Sequence, residues 1–242
     1  MATVSTSSST DFVVPIVATI APIRPLEPGD RLTRAEFERR YEAMPDVKKA
    51  ELIEGVVHMP SPVRFPQHGQ PHWNLIGWLS AYGIQTSGVA GGDNTTLKLD
   101  NDNEPQPDAL MMIDPAHGGQ ARLDSQGYIV GAPELVAEIA SSSVSIDLHD
   151  KFRIYRRSGV REYIVWRVLD RAVDWFVLRD SQYVPLSAGE DGIVRSEVFP
   201  GLWLNVPAML DGKLDAVLAT LQQGLATPEH QQFASDLAAR QK

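Results

Sequence analysis

One residue restricts this chain more than any other: Glu138 stands inside the apolar run Leu135-Val-Ala-Glu-Ile-Ala140. A short run of that composition reads as a buried strand. A carboxylate within it is expensive to bury unless something compensates its charge. A second acid, Asp108, follows Pro107 and immediately precedes another compact apolar run, Ala109 to Ile113. Strands consecutive in sequence are commonly neighbours in space, so the two acids can converge at one sheet edge. Two carboxylates ~4 Å apart repel by about 4 kcal/mol at an effective dielectric near 20. A divalent cation relieves that repulsion; the alternative is a Glu138 head that reaches solvent or pairs with an arginine.

The remainder of the chain supplies elements for such a sheet. Arg31 to Met44 has helical spacing at Leu32, Phe37, Tyr41 and Met44, with Thr33 and Glu36 at capping-box spacing. Ala50 to Met59 reads as two short strands about a turn at Glu54-Gly55. His72 to Tyr82 is helical, with Ile76, Leu79 and Gly83 on one side and Trp73 and Trp78 flanking it; Thr95 to Asp100 is a strand, and Pro115 to Ala132 a surface loop. Another helix begins at Asp147, shares Leu148, Phe152 and Tyr155 on one face, and stops at Gly159. Arg161 to Val168 and Ala172 to Leu178 should pair as a hairpin, and Tyr183 to Leu186, Ile193 to Val198 and Leu202 to Val206 are further strands. Met209 to Lys242 is helical, one helix starting at Thr227-Pro228-Glu229. The order predicts an α/β fold, a mixed sheet flanked by helices. It divides into a disordered or edge-pairing N-terminal tail (1–25), a domain (26–207) and a C-terminal helical extension (208–242), which either covers the sheet or forms an interface.

Charge and composition limit the partners. Lys+Arg 22 against Asp+Glu 31 gives a net charge of -9, which exerts no general pull on nucleic acid. Lys151, Arg153, Arg156, Arg157, Arg161, Arg167 and Arg171 nevertheless fall close together, as a local basic surface or as a solvated helix face and strand ends. The absence of cysteine excludes disulfide frameworks, zinc ribbons and thiol nucleophiles, and the cytoplasm is the expected compartment. Phe12 to Ile23 is apolar, but Pro15 and Pro22 interrupt it and no Lys or Arg precedes it, so it reads as tail and not as a secretory signal. No later segment reaches the ~18 apolar residues of a membrane span.

Pro107-Asp108, the run Pro133-Glu-Leu-Val-Ala-Glu-Ile-Ala-Ser141, then Asp147, Lys151, Tyr155, Gly159-Val160 and Glu162-Tyr163 follow one another in an order and spacing that resembles the Uma-type family of putative restriction endonucleases. Glu51-Leu-Ile-Glu-Gly-Val56, Met59-Pro60 and His72 are similar to that family's first half, so the likeness spans roughly residues 30 to 205. The resemblance implies a restriction-endonuclease-like PD-(D/E)XK core, with Mg²⁺ or Mn²⁺ held by Asp108, Glu138 and the backbone carbonyl of Ile139. The general nuclease pattern has a lysine two residues after the glutamate, where this chain has Ala140; in the Uma-type family a lysine on the following helix takes over, here Lys151. The same likeness gives Glu51 the orientation of a water, and His72 a substrate contact or an acid–base role. The implied activity is metal-dependent hydrolysis of DNA phosphodiester bonds, with a homodimer as the form that would cut both strands. The competing reading is a catalytically silent nuclease-fold protein acting as an interaction module. His68 and His149 carry no such support, Glu54 reads as a turn residue, and Tyr155 as core.

Overall fold

The computed structural model describes residues 22–60, 62–141 and 143–240, so the tail expected over 1–25 lies, for residues 1–21, outside the described residues. The first described helix, α1 (Arg34–Glu42), buries Phe37 against Leu26, Ala50, Leu52 and Val57. Its capping box does not form: Thr33 offers no side-chain cap, and Glu36 pairs instead with Arg39 and Arg40, two guanidinium groups within one turn that outcompete a backbone N–H. Strands β1 (Glu51–Ile53) and β2 (Val56–His58) make the expected hairpin. Glu54 and Gly55 both take positive φ, 49° and 72°, as a tight two-residue turn between right-twisted strands demands.

A π-type turn (Phe65–Gly69) runs directly into α2 (Gln70–Gln85), so this helical segment begins well before His72. Strand β3 (Val89–Asp93) follows, unannounced by its sequence Val-Ala-Gly-Gly-Asp. The strand expected at Thr95–Asp100 contracts to β4 (Leu97–Lys98), and β5 (Ala109–Ile113) has the predicted bounds. The expected surface loop after it contains a 3₁₀ turn (Pro115–His117), β6 (Arg122–Leu123) and β7 (Ile129–Val130). Pairing of β7 with β4 draws Ile129, Ala121 and Ala132 inside.

Next come β8 (Leu135–Ala140), a π-type turn (Ile146–Lys151) leading into α3 (Phe152–Ser158), and the hairpin of β9 (Glu162–Arg167) and β10 (Ala172–Arg179). The chain finishes with β11 (Gln182–Pro185), β12 (Ile193–Arg195), β13 (Trp203–Asn205), α4 (Val206–Leu210), α5 (Leu214–Leu225) and α6 (Pro228–Ala239). Among the described residues no helix is long and apolar enough to cross a membrane.

The central sheet runs β11-β10-β9-β8-β5-β3; β8 and β9 are parallel and the other pairs antiparallel, making it the mixed sheet expected. Successive side chains of a strand point to opposite faces, and β8 shows how this creates the site. Leu135, Ala137 and Ile139 pack beneath α2, α5 and α6 with Trp78, Tyr82, Val217, Leu221 and Leu237. Val136 and Ala140 face the other way, toward Ile154 and Tyr155 of α3. Glu138 shares their side, so its carboxylate is driven under α3 and buried.

Candidate active site

Asp108 immediately precedes β5, and the β5–β8 register sets Ala109 opposite Ala137. The two acids therefore meet across neighbouring strands. Asp108 Oδ2 accepts from the backbone N–H of Ile139 at 2.8 Å, and the Asp108 N–H lies 3.4 Å from Glu138 Oε2. From the hairpin, Glu51 Oε1 accepts the Gln106 N–H at 2.7 Å, which fixes this acid beside the same strand end.

Lys151 enters from the π-type turn before α3, not from β8, where Ala140 leaves no cation. Its Nζ lies 2.9 Å from Glu138 Oε1, 3.0 Å from Glu51 Oε1 and 3.9 Å from Asp147 Oδ1. The Tyr155 hydroxyl, one helical turn on, donates to Glu138 Oε1 at 2.9 Å. Lys151, Glu51, Asp108, Glu138 and Asp147 are all buried. Three of these acids, Glu138, Glu51 and Asp147, thus share one buried ammonium. At the part-exposed side of Asp108, His68 Nε2 is 3.2 Å and Lys49 Nζ 3.8 Å from Oδ1.

The charges are unequal in cost. Burial pushes the Glu138 carboxyl up; Lys151 pulls it back, but Asp108, Asp147 and Glu51 raise it again, leaving it at about 8. Burial also raises Asp108, yet the hydrogen bond from His68, the Lys49 charge and the Ile139 N–H outweigh it and hold that carboxyl at about 2. Burial lowers Lys151, but Glu138, Glu51 and Asp147 together drive it well above the usual lysine range, so the ammonium keeps its proton. Asp147 is raised, by burial first.

A pH profile of stability follows. Glu138 rises above its ordinary 4.5, so the stability associated with its protonated form is complete below about 4.5 and is lost as pH climbs through about 8. Asp108 falls below its ordinary 3.8, so its contribution is present above 3.8 and is lost as pH drops toward 2. In EDTA the melting temperature should peak near pH 4 to 5 and decline to pH 8. A flat profile across that decline would show that Glu138 carries its charge without penalty.

Among the described residues no three His, Asp or Glu are already grouped as a metal cage. The donors present are nonetheless of the right kind: two carboxylates and the Ile139 carbonyl, all oxygen, as Mg²⁺ and Mn²⁺ prefer. Among the described residues Glu138 Oε2 has only the long 3.4 Å contact to the Asp108 N–H. A buried carboxylate oxygen so poorly paired, in a cluster with more acids than cations, fits a hard cation.

His72 lies beside this cluster without reaching its carboxylates: its Nε2 meets the Asp108 carbonyl at 2.8 Å and Asp93 Oδ1 at 3.1 Å. His68, four residues earlier, takes the position against the acid. Lys49 carries no signal in the sequence, Asp147 reads there only as a helix start and a step in the family pattern, and Tyr155 as core. The basic surface is largely neutralised: Arg153 and Arg157 pair with Glu54, Arg157 also with Asp100, Arg167 with Asp170 and Asp174, and Arg171 with Asp211. Glu54 therefore anchors α3 besides making its turn, and Lys151 lies inside the protein.

The family model described as "Uma2: Putative restriction endonuclease" matches residues 34–207. Among solved structures, a putative nuclease belonging to DUF820 from Anabaena variabilis superposes with a TM-score of 0.51 at 13% identity, covering 76% of this chain and 97% of that one. At that identity the likeness speaks for the fold alone. No curated protein matches the chain.

Proposed function

The chain belongs to the Uma2 family of putative restriction endonucleases, and on that premise we propose that it is a divalent-metal-dependent endonuclease hydrolysing DNA phosphodiester bonds. The observation that carries this reading is the buried Lys151 ammonium, 2.9 Å from Glu138, supplied from a helix because β8 has Ala140 where a nuclease lysine would stand.

Asp108, Glu138 and the Ile139 carbonyl would hold Mg²⁺ or Mn²⁺, which when bound supplies Lewis-acid stabilisation of phosphoryl oxygens and a more acidic water. The protein's own groups do the rest. Lys151 and Tyr155 lock Glu138 Oε1 in place. The ammonium also brings positive charge to where the phosphate accumulates negative charge. Glu51 shares that ammonium and is the acid best placed to orient the attacking water. His72 steadies the Asp108 backbone, while His68 holds its carboxylate oxygen.

Supercoiled plasmid should be nicked or linearised with Mg²⁺ or Mn²⁺ and left intact in EDTA, with activity absent from Asp108→Ala as a control against contaminants. Calorimetry between about pH 7 and 8 should show a divalent site and proton release, because Glu138 gives up its proton as the ion binds. No binding heat and no cleavage with either ion would defeat this reading in favour of a catalytically silent module. Two such sites in a symmetric homodimer would cut both strands, which sedimentation with and without DNA measures.

A further inference from the structure

The segment from Arg64 to Trp73 presents two functional sides. His68 and His72 face Asp108. Phe65 and Trp73 face outward, 69% and 74% exposed, among the most exposed large apolar side chains described. Phe65, Gly69 and Trp73 recur every four residues, so they form one stripe alongside that of the histidines. A Cβ at Gly69 would sit 3.4 Å from Phe65 Cδ2, so the phenyl ring lies along the glycine. Roughly 12 Å of helical rise separates the two aromatic positions. Arg64 opens the turn and makes no ion pair among the described residues.

The stripe lies on the same segment as the two histidines that meet Asp108, one residue along from each, so a strand held at Asp108 has these rings beside it. Affinity for nucleic acid ordinarily comes from phosphate neutralisation, which a chain of net charge -9 with Arg153 and Arg157 tied to Glu54 and Asp100 supplies poorly. Stacking of bases on aromatic rings needs neither net charge nor a particular sequence. Within a duplex the base faces are covered by one another, so exposed rings reach them only where the strand is unpaired. Resting on the endonuclease reading, we propose that Phe65 and Trp73, with Arg64 beside them, form a stacking platform for unpaired bases. The favoured substrate is then single-stranded or locally opened DNA.

Of the five tryptophans, Trp78, Trp166 and Trp175 are buried and Trp203 is half-buried, so emission from a solvated indole reports Trp73. In EDTA, where nothing is cut, oligothymidylate should quench that emission, and a labelled oligothymidylate should bind more tightly by anisotropy than a duplex of equal length. Trp73→Ala should remove the quenching and weaken single-strand binding roughly five- to a hundredfold, whereas Trp73→Phe should keep most of it; circular dichroism confirms that each variant is folded. Single-strand binding unchanged in both Trp73→Ala and Phe65→Ala overturns the platform, as does duplex binding equal to single-strand binding. If both variants still nick plasmid with unaltered oligonucleotide affinity, only the platform falls. A wild-type chain that neither binds nor cuts overturns the endonuclease reading as well. Dissociation of a dimer by Trp73→Ala with oligonucleotide binding intact would assign the stripe to a second copy of the chain instead.

Discussion

Lys151→Met is expected to lower folding stability by about 3–5 kcal/mol near pH 8 and to eliminate cleavage. Methionine nearly matches the length of the lysine stem, so packing changes little and the loss is electrostatic. Among the described residues the ammonium is the one cation within 4.0 Å of Glu138, Glu51 and Asp147 together, and all of these are buried. Without it the acids must either stay charged and unpaired or take up protons. Glu138 and Asp147 are already raised by burial, so the penalty should shrink near pH 5 and grow toward pH 8. Adding Glu138→Gln to Lys151→Met should recover part of the lost stability, because one orphaned charge is removed with its partner; a double-mutant cycle by urea unfolding measures that coupling. A loss under about 1 kcal/mol at pH 8, with no coupling, would mean that Lys151 does not hold this cluster together.

The parts of the fold that were legible are those whose signal is local. The runs at β5 and β8 are apolar throughout, and Gly159, at φ 88°, ends α3 as a left-handed stop should. Strand β3 was not legible: Val-Ala-Gly-Gly-Asp has no strand pattern, and its conformation is imposed by pairing with β5 from Val89–Ile113 to Asp93–Ala109. The two-residue strands likewise exist by pairing: β4 offers β7 an edge, and β7 in turn offers one to β6. The site divides in the same way. Asp108 and Glu138 stood out because an acid in or beside an apolar strand is locally anomalous. Glu51 and Lys151 came from the family pattern, since nothing in their own neighbourhoods distinguishes them from a hairpin acid and a helix lysine. His72, too, came from the family likeness, which does not single out His68; the π-type turn extends the helical path back to Phe65 and brings His68 to the carboxylate. Counting arginines along the chain could not reveal that Glu54, Asp100 and Asp211 arrive from other elements to neutralise them.

Glu138→Gln should separate stability from activity with opposite signs. The amide oxygen can still accept from Lys151 and Tyr155, as Oε1 does at 2.9 Å in both cases. The charge that burial and three neighbouring acids make costly is gone, while Lys151 retains Glu51 and Asp147. The variant should therefore be at least as stable as the parent near pH 8. Near pH 5, where Glu138 already carries a proton, the two chains should melt alike, so the difference in melting temperature should widen as pH rises. Divalent binding should be lost, because the amide offers neither charge nor a second oxygen. Metal stabilisation of the transition state is worth several kcal/mol, and at 1.36 kcal/mol per decade cleavage should fall by about a thousandfold or more. A Glu138→Gln chain that melts well below the parent at pH 8 would make the carboxylate a structural anchor, and one that cuts at the parental rate would remove Glu138 from the active site. A chain that gains stability as it loses cleavage would show that the fold bears an unfavourable buried charge where the chemistry requires one.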